Sequence, residues 1–132
     1  MILVDTSAWV EFDRATGSTV DRRLTELITT TDDVAVSEPI VMEVLAGARD
    51  DRRERDLRRL MDRFTLLPFD AGVDFSAATR IYRTCRRAGV TPRGMIDCMI
   101  SAVALRSGAT LLAADADLDR VAAVMGLDLD QH

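Results

Sequence analysis

Four carboxylates stand where burying a charge is costly. Asp5 closes the apolar run Ile2–Val4 in "MILVDTSAWVEF", and Glu43 interrupts an apolar stripe in "EPIVMEVLAGAR". Asp97 lies in the first turn of the apolar "RGMIDCMISAVAL", and Asp115 ends "TLLAAD". Each has an ordinary structural use: Asp5 as a turn residue, Glu43 as a satisfied half-buried acid, Asp97 and Asp115 as helix-start carboxylates. Together they pose an electrostatic problem. Two like charges about 6 Å apart repel by roughly 3 kcal/mol at an effective dielectric of about 20. Four converging acids need protons or a cation, and the chain contains no Lys to neutralise them. Hard divalent cations prefer oxygen ligands, so Mg²⁺ or Mn²⁺ is the natural partner. Such an ion is a Lewis acid that activates water.

Convergence requires a scaffold. Short apolar runs predict strands at Ile2–Val4, Val34–Val36, 65–67 and 110–113, with a weaker fifth at 127–129. Between them, helical patterns cover residues 8–14, 20–29, a segment beginning at Pro39, 51–63, 71–88 and 95–106. Short, continuously apolar strands alternating with helices imply a parallel sheet covered on both faces, an α/β/α sandwich. In such sheets, sites form beyond the carboxyl ends of the strands. Asp5 and Asp115 then share one crevice if their strands are neighbours.

The chain has 132 residues, which suits one domain over residues 1–132. No apolar stretch approaches the roughly 20 residues that cross a bilayer, and the N-terminus lacks the basic stretch and cleavage site of a signal peptide. A cytoplasmic protein without membrane association is expected. Cys85 and Cys98 form no CxxC pair and the lone His132 offers no zinc companion, so two free structural thiols are expected.

A net charge of −5 argues, by itself, against a nucleic-acid partner, but its distribution does not. All 17 basic residues are Arg, whose planar fork suits phosphate. One group comprises Arg49, Arg52, Arg53, Arg55, Arg58, Arg59 and Arg63; interleaved acids make a solvated helix face an equally good reading of it. A second group, Arg80, Arg83, Arg86, Arg87 and Arg93, is the set of RNA-binding candidates.

The ordered set "ILVDTSAWVEF", "EPIVMEVLAGAR" and "GMIDCMISAVALRSGATLLAADADL" resembles the PIN-domain ribonucleases over nearly the whole chain. The nearest likeness is to the VapC-type toxins of bacterial VapBC toxin–antitoxin pairs. The resemblance implies strand order 3-2-1-4-5 and Mg²⁺ held by acids matching Asp5, Glu43, Asp97 and Asp115, with Asp117 assisting and Mn²⁺ as a substitute. It places Thr6 or Ser7 as a hydroxyl near the metal. Ala113 and Leu118 depart from it, since the family commonly has Thr and Phe there. The implied activity is endonucleolytic hydrolysis of structured RNA, tRNA especially.

The implied partners are a second copy of the chain and a VapB-type antitoxin that blocks the acids. Trp9, Phe12 and Leu45 are the candidates for the antitoxin groove: each can be core, yet an exposed aromatic beside the site would anchor a partner helix. Other classes fit less well. A phosphorelay receiver needs a Lys at its site, and a haloacid-dehalogenase-type phosphatase carries D-x-D where this chain reads "DTS". A catalytically silent PIN-like binding module is the alternative, although it would normally have lost one of the four acids.

Overall fold

The computed structural model describes residues 1–130; His132 lies outside them. Its centre is a four-stranded parallel sheet of β1 (Ile2–Val4), β2 (Val34–Val36), β3 (Thr65–Leu66) and β4 (Thr110–Leu112), in the order β3-β2-β1-β4. The three-residue strands are almost wholly interior, whereas the two-residue edge strand β3 is exposed. Leu3, Val4, Ala35, Leu111 and Leu112 are fully buried, which is why these runs are continuously apolar rather than alternating. The fifth predicted strand shrinks to a single parallel bridge, Leu111 to Leu129, made by Leu111 N–H to Asp128 O and Asp130 N–H to Leu111 O. It occupies the outer position beside β4, in line with the 3-2-1-4-5 order. β3 ends one residue early, just ahead of Pro68, which has no N–H to extend a ladder.

The helices are α1 (Thr6–Asp13), α2 (Thr19–Thr30), α3 (Glu38–Ala46), α4 (Asp51–Met61), α5 (Asp74–Arg87), α6 (Met95–Ser107) and α7 (Ala116–Met125). α1 packs on α2 and α3, and α3 on α4; α5 packs on α6 and α7. With the parallel order β3-β2-β1-β4, the usual right-handed crossover rule sets the first group on one face of the sheet and the second on the other. α3 also touches α6, the helices carrying Glu43 and Asp97. α7 has no counterpart among the predicted helices. Its stretch is short and rich in Ala and Asp, so Leu118, Val121 and Ala122, all buried, leave only a faint 3.6-residue pattern.

α4 settles one of the two readings of the first Arg group in favour of the helix face for several members. Leu57 and Met61 face the core, while Arg53 pairs with Asp13 of α1 at 2.5 Å and Arg58 pairs with Glu54 one turn away. Trp9 corrects another expectation. It is 1% exposed, edge-on to Phe12 (5.9 Å) and against Phe64 (5.5 Å), and is therefore a core residue rather than a surface anchor. Phe12, a turn later on α1, is half-buried beside it. Both cysteines are buried and free.

Candidate functional site

β1 lies between β2 and β4, so connections leave it toward one side of the sheet and return on the other. The crevice between the carboxyl ends of β1 and β4 is the switch point where open parallel sheets place their sites. Asp5 extends the ladder, its N–H reaching Leu112 O at 2.8 Å, and then caps α1. Its Oδ2 accepts from Ser7 N–H (3.0 Å) and from the Ser7 hydroxyl (2.6 Å). Ser7 Oγ in turn accepts from Ala114 N–H at 2.9 Å. One hydroxyl thus ties the end of β1 to the chain leaving β4, next to Asp115. Asp115 caps α7 through Oδ1, which accepts from Asp117 N–H at 2.9 Å.

The two hydroxyls expected near the site divide the work. Ser7 serves Asp5, and Thr6 donates to Glu43 Oε1 at 2.7 Å, orienting the half-buried carboxylate that α3 contributes. Asp97 enters from the first turn of α6 and is 7% exposed. Pairwise repulsion links it to Asp5, Asp115 and Glu43, and Asp5 to Glu43 and Asp115, so all four acids share one electrostatic neighbourhood. Burial, more than any neighbour, pushes the Asp97 carboxyl up to about 6, with Asp5 adding to the rise and Arg93 opposing it. Burial likewise raises Asp5, against the lowering effect of the Ser7 hydrogen bonds.

Three carboxylate oxygens, Asp5 Oδ1, Asp97 Oδ2 and Asp115 Oδ2, are buried without a hydrogen-bond partner. Orphaned buried acceptors are rare, and an all-oxygen set of them suits a hard divalent cation. Among the described residues, no three acidic, His or Cys side chains are gathered as a ready-made chelate. Arg93 Nη2 sits 2.9 Å from Asp115 Oδ2 and 4.0 Å from Asp97 Oδ2. The closer approach is an ion pair not aligned as a hydrogen bond, which is why Asp115 Oδ2 still lacks a donor. Asp117 is partly exposed and paired with Arg120. Ser37, which follows β2 at the same sheet edge, is fully buried with an unpartnered hydroxyl.

The second Arg group does not act as one patch. Arg83, Arg86 and Arg87 line a shallow recess with Tyr82, whose hydroxyl accepts from Arg86 Nη1 at 3.3 Å. Arg80 faces a different recess, with Asp74, Leu105 and Arg106. Arg93, grouped with the RNA-binding candidates by sequence, turns inward to the carboxylates. That position was readable in part, since Arg93 and Asp97 are four residues apart. Leu45 lines a cleft of about 600 Å³ with Val41, Met42, Met61, Phe64 and Leu66; buried Trp9 lies behind Phe64 and does not line it.

With this geometry in place, the likeness to known proteins has a physical counterpart. A family model described as PIN domain matches residues 2–124. A VapC ribonuclease of Mycobacterium bovis and ribonuclease VapC11 of Mycobacterium tuberculosis are each 46% identical over 128 residues, 96% of this chain and of the relative. Among solved structures, VapBC2 from Rickettsia felis, bound to a DNA fragment from its promoter, matches with a TM-score of 0.74 at 20% identity over 98% of both chains. VapBC-1 from nontypeable Haemophilus influenzae matches with a TM-score of 0.74 at 18% identity, over 99% of this chain and 98% of that one. At such identities the structural likeness concerns the fold.

Proposed function

The chain belongs to the PIN-domain family, and we propose that it is a VapC-type endoribonuclease, metal-dependent and acting as the toxin of a toxin–antitoxin pair. The observation that carries the reading is the convergence of Asp5, Asp97 and Asp115 from three separate segments, each with a buried, unpartnered oxygen. Asp5, Glu43, Asp97 and Asp115 would hold the cation, Mg²⁺ with Mn²⁺ as a substitute; Asp117 would assist after leaving Arg120. When bound, the ion supplies charge neutralisation at the phosphate and lowers the pKa of a water.

The chain's own groups set up the rest. Thr6 and Ser7 hold Glu43 and Asp5 each by one oxygen, which leaves Asp5 Oδ1 without a hydrogen-bond partner. Water is the proposed nucleophile: its oxygen bonds to phosphorus as the P–O3′ bond breaks, leaving a 3′-hydroxyl and a 5′-phosphate. Attack by the ribose 2′-hydroxyl would call for a side-chain acid and base, and the chain has no Lys and no His before position 132. Structured RNA, tRNA above all, is the proposed substrate class.

Arg83, Arg86 and Arg87 support the substrate reading. They stand near the C-terminal end of α5, and the short link to α6 brings that end beside the first turn carrying Asp97. Replacing all three by Ala is expected to weaken RNA binding and to flatten the slope of log affinity against log salt by about 2. Fluorescence anisotropy across a salt series, with Ca²⁺ in place of Mg²⁺, measures it. An unchanged slope would assign these residues to a solvated helix face.

The proposed partner is a VapB-type antitoxin, and the proposed state of the chain alone is a homodimer. The cleft beside Leu45, with Met42 53% and Leu66 47% exposed, offers apolar surface at the helix that carries Glu43. Co-expression with the product of the adjacent gene should yield a copurifying complex without RNase activity. A neighbour that neither binds nor inhibits would remove the toxin assignment and leave the nuclease assignment standing.

A further inference from the structure

We propose that Arg93 is an internal counter-ion of the acid cluster: its guanidinium takes the cation's place in the metal-free protein and is displaced when a divalent ion enters. The inference rests on the metal reading above. Arg93 Nη2 lies against Asp115 Oδ2 (2.9 Å) and Asp97 Oδ2 (4.0 Å), two of the three carboxylate oxygens without a hydrogen-bond donor. A positive charge there offsets the repulsion between two closely placed acids.

The attachment is loose in every respect that matters for displacement. The Arg93 side chain is 65% exposed, and among the described residues it donates no aligned hydrogen bond. Its backbone precedes Gly94, the residue capping α6, on the short link from α5, so the anchor stays while the long side chain can swing. A buried, bidentate Arg would compete strongly with a cation and hold the site shut. An exposed Arg with one close and one 4.0 Å contact offsets part of the acids' repulsion and is weak enough to yield to a doubly charged ion. Arg93 is thus a positioning residue for the metal ligands.

The test uses the purified chain and Mn²⁺. Thermal unfolding in EDTA and calorimetric Mn²⁺ titration are run on the wild type, Arg93→Gln, Arg93→Ala and Arg93→Lys. The Gln and Ala variants should melt lower in EDTA and bind Mn²⁺ about two- to fivefold more tightly, the scale of an exposed ion pair. Arg93→Lys should lie near the wild type in both. In an Asp115→Asn background, removing Arg93 should lower the melting temperature by much less. Equal or weaker Mn²⁺ binding by Arg93→Gln, in proteins that do bind the ion, overturns the counter-ion role and leaves the metal reading intact. Absence of Mn²⁺ binding by the wild type and all variants overturns the metal reading, and this inference with it.

Discussion

Asp97→Asn is expected to abolish RNA cleavage and, at roughly pH 7.5 without metal, to make the protein more stable. The two effects share one cause. In the fold the Asp97 carboxyl titrates at about 6, against an ordinary value of 3.8, chiefly because it is buried and secondarily because Asp5 lies near it. A carboxyl that holds its proton more tightly in the folded than in the unfolded chain favours folding at low pH. That contribution is complete below about pH 4 and is lost as the pH rises through 6. The difference corresponds to at most about 3 kcal/mol at neutral pH. Asn keeps the shape and removes the charge, so the variant should melt several degrees higher in EDTA, at about 2–6 °C per kcal/mol for a chain of this size. It should also lose the stabilisation that the wild type gains on going from about pH 7.5 to pH 5. Differential scanning fluorimetry at both pH values reads this directly. A variant less stable than the wild type at both would mean that Asp97 is a structural cap. Cleavage should fall by more than the ~10–100-fold typical of residues that only support a metal ligand.

Arg106→Ala should produce the largest loss of stability, at a place remote from the chemistry. Asp74 is 1% exposed, and Arg106 grips it through Nε (3.0 Å to Oδ1) and Nη2 (2.8 Å to Oδ2), with Nη2 also reaching Pro68 O at 2.6 Å. This clamp fastens the last turn of α6 to the chain leaving β3 and to the start of α5. Removing the Arg leaves the buried carboxylate with the Asp70 N–H (2.8 Å to Oδ2) but without its counter-ion, a change that costs about 3–5 kcal/mol in a fully buried pair. Arg106 is 41% exposed, so the lower end of that range applies. The pH dependence has the opposite sign to that of Asp97. Arg106 holds the Asp74 carboxyl below its ordinary value of 3.8, so its stabilisation is present above that pH and lost as acid protonates the folded form. Urea midpoints at roughly pH 7 should therefore differ strongly between wild type and variant, and converge below about pH 4. A neutral-pH difference under roughly 0.5 kcal/mol would show that the clamp is an ordinary surface pair.

How much of this was legible in the sequence follows from what each feature depends on. Ile2–Val4 and Val34–Val36 read correctly because interior parallel strands leave an unbroken apolar signal. The ends of α5 and α6 read well for the same kind of reason, since Gly89 and Gly108 take positive φ where other residues strain. Asp5 and Asp115 could be placed at one sheet edge because strand ends follow a general rule, and side by side because the family resemblance implied the strand order. Trp9 was open to misreading: large aromatics serve cores and partner surfaces alike, and only the packing against Phe12 and Phe64 separates the two. The sequence grouped Arg93 with the RNA-binding candidates rather than with the acids, because a long side chain's direction depends on the loop that carries it. The Asp74–Arg106 clamp spans 32 residues and leaves no local trace at all.

The central claim is that the four acids act through a divalent cation to hydrolyse RNA. Its most direct test is cleavage of a labelled RNA by the metal-stripped protein, with Mn²⁺ titrated back and the new 5′ ends sequenced. Expected are no cleavage in EDTA, recovery with added Mn²⁺, 5′-phosphate ends, and no recovery for Asp97→Asn at any Mn²⁺ concentration. Undiminished cleavage in EDTA, or full activity of Asp97→Asn, would contradict it.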